Sequence, residues 1–422
     1  MELLSISNNK FERIVLNLLI ILIFVIINPI YALFLCGFLN FASSRINFFI
    51  FSFMFTLSFS LLFFLNDYNL TTNHIINADL NFYILSFQEI DKLSWYGIIL
   101  RFILLPNGNE FLYWFYVKIA NILFFGNADI FVFFHRFITF LLIAYLGKLI
   151  HSRKYVIVIV CILFLSYHIF NNVFQIWRQN TAFLIFFIGL FSFDTKEIKW
   201  FPRIIIYCSA FIHITMIIPI IFFEFFILFN KGSNKLKISK LYSKGMAGYL
   251  AVSVSIFLIA EENFIYFILQ PFGLAQNMSV YFQVLNPGIP YSSVLFNWLT
   301  YLILLSLWLK RKNLAYADVF IFTQYFIFIV LISELILPDV FSRYSQYAVI
   351  GGTLLIGKMG AANYRFGLPL LVFLNINFYW NVHFNPAFYI PLSNQLYSGY
   401  KDPVYGLGNM ILNYGNILNF NF

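Results

Sequence analysis

Apolar residues run along this chain in blocks about as long as a bilayer is thick, broken by short clusters of charged positions. Residues 46–65 carry no charged side chain over twenty positions. At about 1.5 Å per residue, a helix of that length matches the roughly 30 Å hydrocarbon core of a membrane. Comparable blocks occupy residues 16–41, 130–146, 156–170, 182–193, 204–212, 215–229, 246–259, 294–309, 315–337, 341–357 and 366–380. Lipid offers no hydrogen bonds to the backbone, so each block predicts a helix. The whole pattern predicts an all-α polytopic integral membrane protein of roughly 11–13 transmembrane helices. The first block, from residue 14, is too long for a cleavable signal and lacks its small-residue cleavage site. Pro29 after Asn28 predicts a kink within it. Several blocks are short, which predicts tilted or broken helices. Residues 94–105 and 111–125 form two further apolar stretches.

Composition supports the same class. The chain is 61% hydrophobic and 10% charged, against about 25% charged residues in an ordinary soluble domain. So few charges cannot cover a water-facing surface. Cys36, Cys161 and Cys208 lie inside apolar blocks and show no disulfide or metal spacing. The net charge of +9 is no nucleic-acid footprint, because the basic residues fall in short loops. Those loops set an orientation. Arg45 and the clusters at 148–154, 196–203, 231–244, 310–312 and 358–365 hold 17 basic residues against two acids, Asp194 and Glu197. Such a bias marks the cytoplasmic side. The sides stay consistent only if 111–125 is a re-entrant or outer-leaflet helix, which Lys118 in its middle favours. Residues 66–110, 261–293 and the tail 381–422 then face outward, and they exceed the length of minimal connectors.

Charge at membrane depth is costly, so it marks candidate function. Arg136, Arg178 and Arg343 are all predicted near the outer leaflet, and His213 sits between two half-length helices on the same side. The planar fork of arginine suits phosphate, and the head of a lipid diphosphate lies at that depth. An interfacial arginine can equally snorkel to lipid headgroups, and lone histidines such as His135, His151 and His168 read as packed residues. Among outward carboxylates, Asp79 and Glu110 are singled out as candidate bases. Asp79 has Tyr83 one helical turn on, and Glu110 opens an apolar helix. The ordinary alternative for each is a solvated acid at a helix start. There is no GxxxxGK[ST] loop, no HExxH, and no soluble domain carrying a DxD motif or a nucleotide site. An activated lipid substrate or a gradient must supply any energy the function needs.

Five segments together resemble a known family. They are Asp79-x-x-x-Tyr83, Asn109-Glu110-Phe111-Leu112, Trp177-Arg178-Gln179-Asn180-x-Ala182, Phe211-Ile212-His213-Ile214-Thr215 followed by Pro219, and Arg343-x-x-x-Tyr347. In this order and spacing the chain resembles the EpsG-like branch of the Wzy-type O-antigen and capsule polymerases, over about residues 45–230 through the first four segments, and in the C-terminal third mainly in helix pattern and in Arg343-x-x-x-Tyr347. It departs from the family where a Glu-Pro reads Glu110-Phe111 and where a Ser after the His reads Ile214. The resemblance implies a helical fold of the GT-C type in the bacterial inner membrane, active at the periplasmic face. It implies transfer of a growing glycan from undecaprenyl diphosphate to the non-reducing end of a lipid-linked repeat unit. On that reading Arg178, Arg343 and Arg136 bind the diphosphate, and His213, Asp79 or Glu110 takes the acceptor proton. Gln179, Tyr83 and Tyr347 bind substrate. No cofactor, nucleotide or metal is expected, because the donor is already activated.

Expected partners are the undecaprenyl-diphosphate-linked oligosaccharide, membrane lipid and a chain-length regulator protein, and no nucleic acid. Three rival functions remain at this stage. A lipid-linked oligosaccharide flippase would line an interior cavity from both sides. An O-antigen ligase would use the same chemistry on another acceptor. An O-acetyltransferase would want a cytoplasmic His or Arg set, and none is evident.

Overall fold

The computed structural model describes residues 78–104, 110–150, 177–193 and 200–230, with isolated positions within 15–23, 56–60, 320–321 and 347–355. The blocks predicted at 156–170, 246–259, 294–309 and 366–380, both distal outward segments and Arg343 lie outside the described residues. Every element among the described residues is helical, as the block pattern predicts. The elements are α1 (Ala78–Glu89), a 3-10 turn (Ile90–Lys92), α2 (Trp95–Leu104), α3 (Phe111–Leu123), α4 (Ala128–Ile150), α5 (Trp177–Ser192), α6 (Trp200–Ile212), a second 3-10 turn (Ile214–Met216) and α7 (Ile217–Asn230).

The segment 66–110, which the charge pattern predicts to face outward, carries α1 and α2 and is not plain loop. Tyr83, Phe87 and Ile90 recur at helical spacing along α1 and its turn, and all three are buried. They meet Tyr113, Val117 and Ala120 of α3 in one core, which Phe131, Val132 and Trp177 complete. Two polar side chains of α3 close the end of α1. Lys118 Nζ donates to the carbonyls of Ile90 and Asp91 at 3.1 and 3.2 Å, and Asn121 Nδ2 donates to Phe87 O at 2.8 Å. Carbonyls at a helix end are short of intrahelical donors, and here Lys118 and Asn121 supply side-chain donors to them, Ile90 O also accepting from the Leu93 N–H. The buried lysine is thereby satisfied by a helix C-terminus, whose dipole favours a cation.

A tight reversal joins α3 to α4. Gly126 N–H donates to Asn121 O at 2.9 Å and Phe125 N–H to Ile122 O at 3.4 Å, the paired bonds of a Schellman ending. Phe125 takes φ 51° and Gly126 φ 72°, the left-handed region where glycine is at ease. Asn127 Oδ1 then accepts from the N–H groups of Asp129 and Ile130 at 3.0 and 3.1 Å, capping α4. Among the described residues α4 is the one helix long and apolar enough to cross a membrane, and α3, α6 and α7 are shorter apolar helices. One face of α4 is buried through Phe131, His135, Thr139, Ile143 and Leu146, and it packs chiefly on α5.

The chain divides into two compact units. The first comprises residues 1–192, 204–214 and 368–422, and the second 193–203 and 215–367. Within the second, Arg203 on α6 grips Glu224 on α7 through both Nε and Nη2, a two-pronged ion pair. Phe223 and Phe226 of α7 pack edge-on against Phe320 in the same unit. Tyr347 is also buried there. The first unit holds the polar cluster described next.

Candidate functional site

The cluster begins with how Glu110 starts a helix. Its carbonyl accepts from the N–H groups of Tyr113 and Trp114, so it stands at the cap position of α3, yet its side chain makes no cap hydrogen bond. An acid in that place ordinarily bonds its own helix's N–H groups. Here the carboxylate turns elsewhere. Arg178, in the first turn of α5, donates from Nη1 to Glu110 Oε2. His213, which ends α6 by donating its N–H to Ser209 O, brings Nε2 to 3.5 Å from Glu110 Oε1. The next backbone N–H, that of Ile214, also donates to the carboxylate. Glu110 and His213 are buried, and the Arg178 side chain is 22% exposed.

Aromatic rings hold the guanidinium. Its central carbon lies 5.3 Å from the Phe82 ring, 5.8 Å from Tyr83 and 5.6 Å from Tyr113, within the reach of cation–π attraction. Arg178 also donates to the Tyr83 hydroxyl. Behind it, Trp177 is 1% exposed and acts as a platform. Tyr83 lies parallel to its indole at 4.9 Å, His135 at 4.3 Å, and Arg136 sits 4.7 Å from its centroid. The Tyr116 hydroxyl is 3.3 Å from His135 Nδ1.

Four of the residues singled out in the sequence thus meet: Tyr83, Glu110, Arg178 and His213. Arg136 lies one layer behind them, fully buried and two turns inside α4. Gln179 is buried beside Arg178 on α5. Asp79 lies in the first turn of α1, one turn before Tyr83, and the position of its side chain is outside the described residues. Tyr347 belongs to the second unit. The sequence reading did not single out Trp177 as a platform or Tyr113 at all. The available signal for Tyr113 was its place one helical turn after Glu110. Among the described residues no group of three or more His, Cys, Asp or Glu side chains could hold a metal ion.

Burial pushes the Glu110 carboxyl above the usual carboxylate range, against the opposing pull of Arg178 and of the Ile214 N–H. The folded protein therefore holds this proton more tightly than the unfolded chain does. Its contribution to stability is greatest below the ordinary carboxylate pKa and is lost as pH rises through the folded value. Thermal unfolding of purified protein should show a component that declines across this interval and disappears in Glu110→Gln. An identical pH profile in the two proteins would mean that Glu110 titrates normally.

No family model, curated protein or solved structure matches the chain. The functional reading therefore stands on the cluster and on the resemblance of its residues.

Proposed function

We propose that this chain is a GT-C-like, multi-pass glycan polymerase of the bacterial inner membrane. It transfers the growing glycan from undecaprenyl diphosphate to the non-reducing end of a lipid-linked repeat unit at the periplasmic face, building O-antigen or capsular polysaccharide. The observation that carries this reading is the convergence of Tyr83, Glu110, Arg178 and His213 from four separate segments into one buried cluster. Apolar side chains exposed on the helices, such as Leu123, Ile204, Phe225 and Leu228, suit a lipid surrounding.

The chemistry needs a base, a charge clamp and little else. His213 accepts the proton of the acceptor hydroxyl, and Glu110 beside it stabilises the resulting imidazolium. The acceptor oxygen bonds to the anomeric carbon of the donor glycan while the bond from that carbon to the diphosphate breaks. Undecaprenyl diphosphate leaves with both bonding electrons. Arg178, steadied by Glu110 and by the aromatic rings, offers positive charge where negative charge grows on the leaving diphosphate. The donor's diphosphate supplies the energy, so neither nucleotide nor metal enters the scheme.

Deleting the gene in its host and resolving surface glycan on gels tests the proposal. The expected result is glycan capped at a single repeat unit, with long chains restored by the wild-type gene. Loss of all exported glycan would instead assign a flippase. Long polymer accumulating on its lipid carrier would assign a ligase.

A further inference from the structure

Three residues past Glu110, one turn along α3, stands Tyr113. It is 3% exposed. Its ring meets Tyr83 edge-on, with centroids 6.1 Å apart at 62°, and the Arg178 guanidinium lies 5.6 Å away. Its hydroxyl is within electrostatic reach of both Arg178 and Glu110. Among the described residues, however, that hydroxyl has no hydrogen-bond partner, and neither has Nε of Arg178. Buried donors left unmade are costly and few in native proteins. Two of them, from different helices and beside one carboxylate, call for an acceptor beyond the described residues. Glu110 is already engaged by Arg178 Nη1 and the Ile214 N–H.

We propose that Tyr113 is a further substrate-binding residue, whose O–H donates together with the Arg178 Nε–H to oxygens of the lipid-linked diphosphate. The identity of that ligand rests on the polymerase reading. A diphosphate offers several acceptor oxygens and no donors, which matches a site furnished with donors. The phenol adds a hydrogen bond without adding charge, and the bond strengthens as charge collects on the departing diphosphate. Tyr113 thus acts on the leaving group, and the Glu110–His213 pair acts on the acceptor.

The test uses full-length protein in phosphatidylcholine nanodiscs, with undecaprenyl diphosphate as the probe. Tyr113→Phe removes the hydroxyl and keeps the ring against Tyr83 and Arg178. It should weaken binding of the probe by about 10- to 100-fold, the scale of one hydrogen bond to a charged group. The kcat/KM for the lipid-linked repeat should fall alongside, with melting temperature unchanged or raised because an unmade donor is gone. Tyr116→Phe, which loses the hydroxyl that faces His135, should bind the probe as wild type does. Wild-type affinity in Tyr113→Phe would overturn the inference while leaving polymerisation by the wild type intact. Tyr113-dependent binding in a protein that makes no polymer would uphold the inference and defeat the polymerase reading. Equal competition by added phosphatidylglycerol would assign these donors to ordinary lipid headgroups and overturn it as well.

Discussion

Glu110→Gln should abolish long-chain glycan. The substitution keeps the shape of the side chain and removes its charge and basicity. A positioned acid or base contributes typically about 10²–10⁴-fold to rate, and Glu110 touches both of the groups assigned to the chemistry. It accepts from Arg178 and lies 3.5 Å from His213 Nε2. On the proposed mechanism, an imidazolium formed at His213 loses the counter-charge that Glu110 offers at 3.5 Å. Turnover of the lipid-linked repeat by the purified variant in nanodiscs should fall by roughly 10³-fold. A Glu110→Gln protein that elongates glycan at more than a tenth of the wild-type rate would remove Glu110 from the mechanism.

The second large effect is expected at Arg178, where lysine should be almost as damaging as alanine. Lysine keeps the charge. Its three donors leave a single nitrogen, so they cannot reproduce the fixed planar fork by which arginine meets Glu110 and the Tyr83 hydroxyl from spread positions. It also loses the planar group that the rings of Phe82, Tyr83 and Tyr113 accommodate. Long-chain glycan should be missing in both variants, with normal protein levels in the membrane. Alanine carries a further penalty. Removing one partner of a buried ion pair costs about 3–5 kcal/mol, and partial exposure of Arg178 moves the expectation to the lower end. Arg178→Ala should therefore melt earlier than the wild type, and adding Glu110→Gln should recover part of that loss without recovering activity. Full elongation by Arg178→Lys would reduce Arg178 to a generic interfacial charge.

Much of the helical order could be read along the chain, because a helix declares its buried face through local spacing. The break at His213 is one case. The sequence reading divides residues 204–229 there, and α6 ends and α7 begins around it. Boundaries near charged residues were harder. The apolar pattern marks residues 182–193 as one block, but α5 starts at Trp177, which puts Arg178 inside its first turn. The apolar count missed that turn because Trp-Arg-Gln-Asn is too polar to score as membrane helix, although its Trp, Gln and Asn are buried in the protein. Likewise α1 is hidden in segment 66–110, which the charge pattern predicts to face outward. Its polar residues obscure a stripe of Tyr83, Phe87 and Ile90 that only a neighbouring helix makes useful.

Charge and imidazole, rare in so apolar a chain, draw attention to Arg178 and His213, while Glu110 and Tyr83 are singled out by spacing and by the family resemblance. These signals could not say who pairs with whom. Glu110 and Arg178 stand 68 positions apart, and the sequence offers the carboxylate either as a solvated acid at a helix start or as a candidate base. The start of α3, the first turn of α5 and the end of α6 meet so that the carboxylate is buried and faces a guanidinium and an imidazole instead of water. The same packing puts Arg136 against Trp177, a layer away from the carboxylate, although the sequence predicts it near the same outer leaflet as Arg178. Local sequence governs the period and ends of helices because those depend on neighbours three or four residues away. The pairing of distant charges depends on which faces meet, and that is a property of the folded chain.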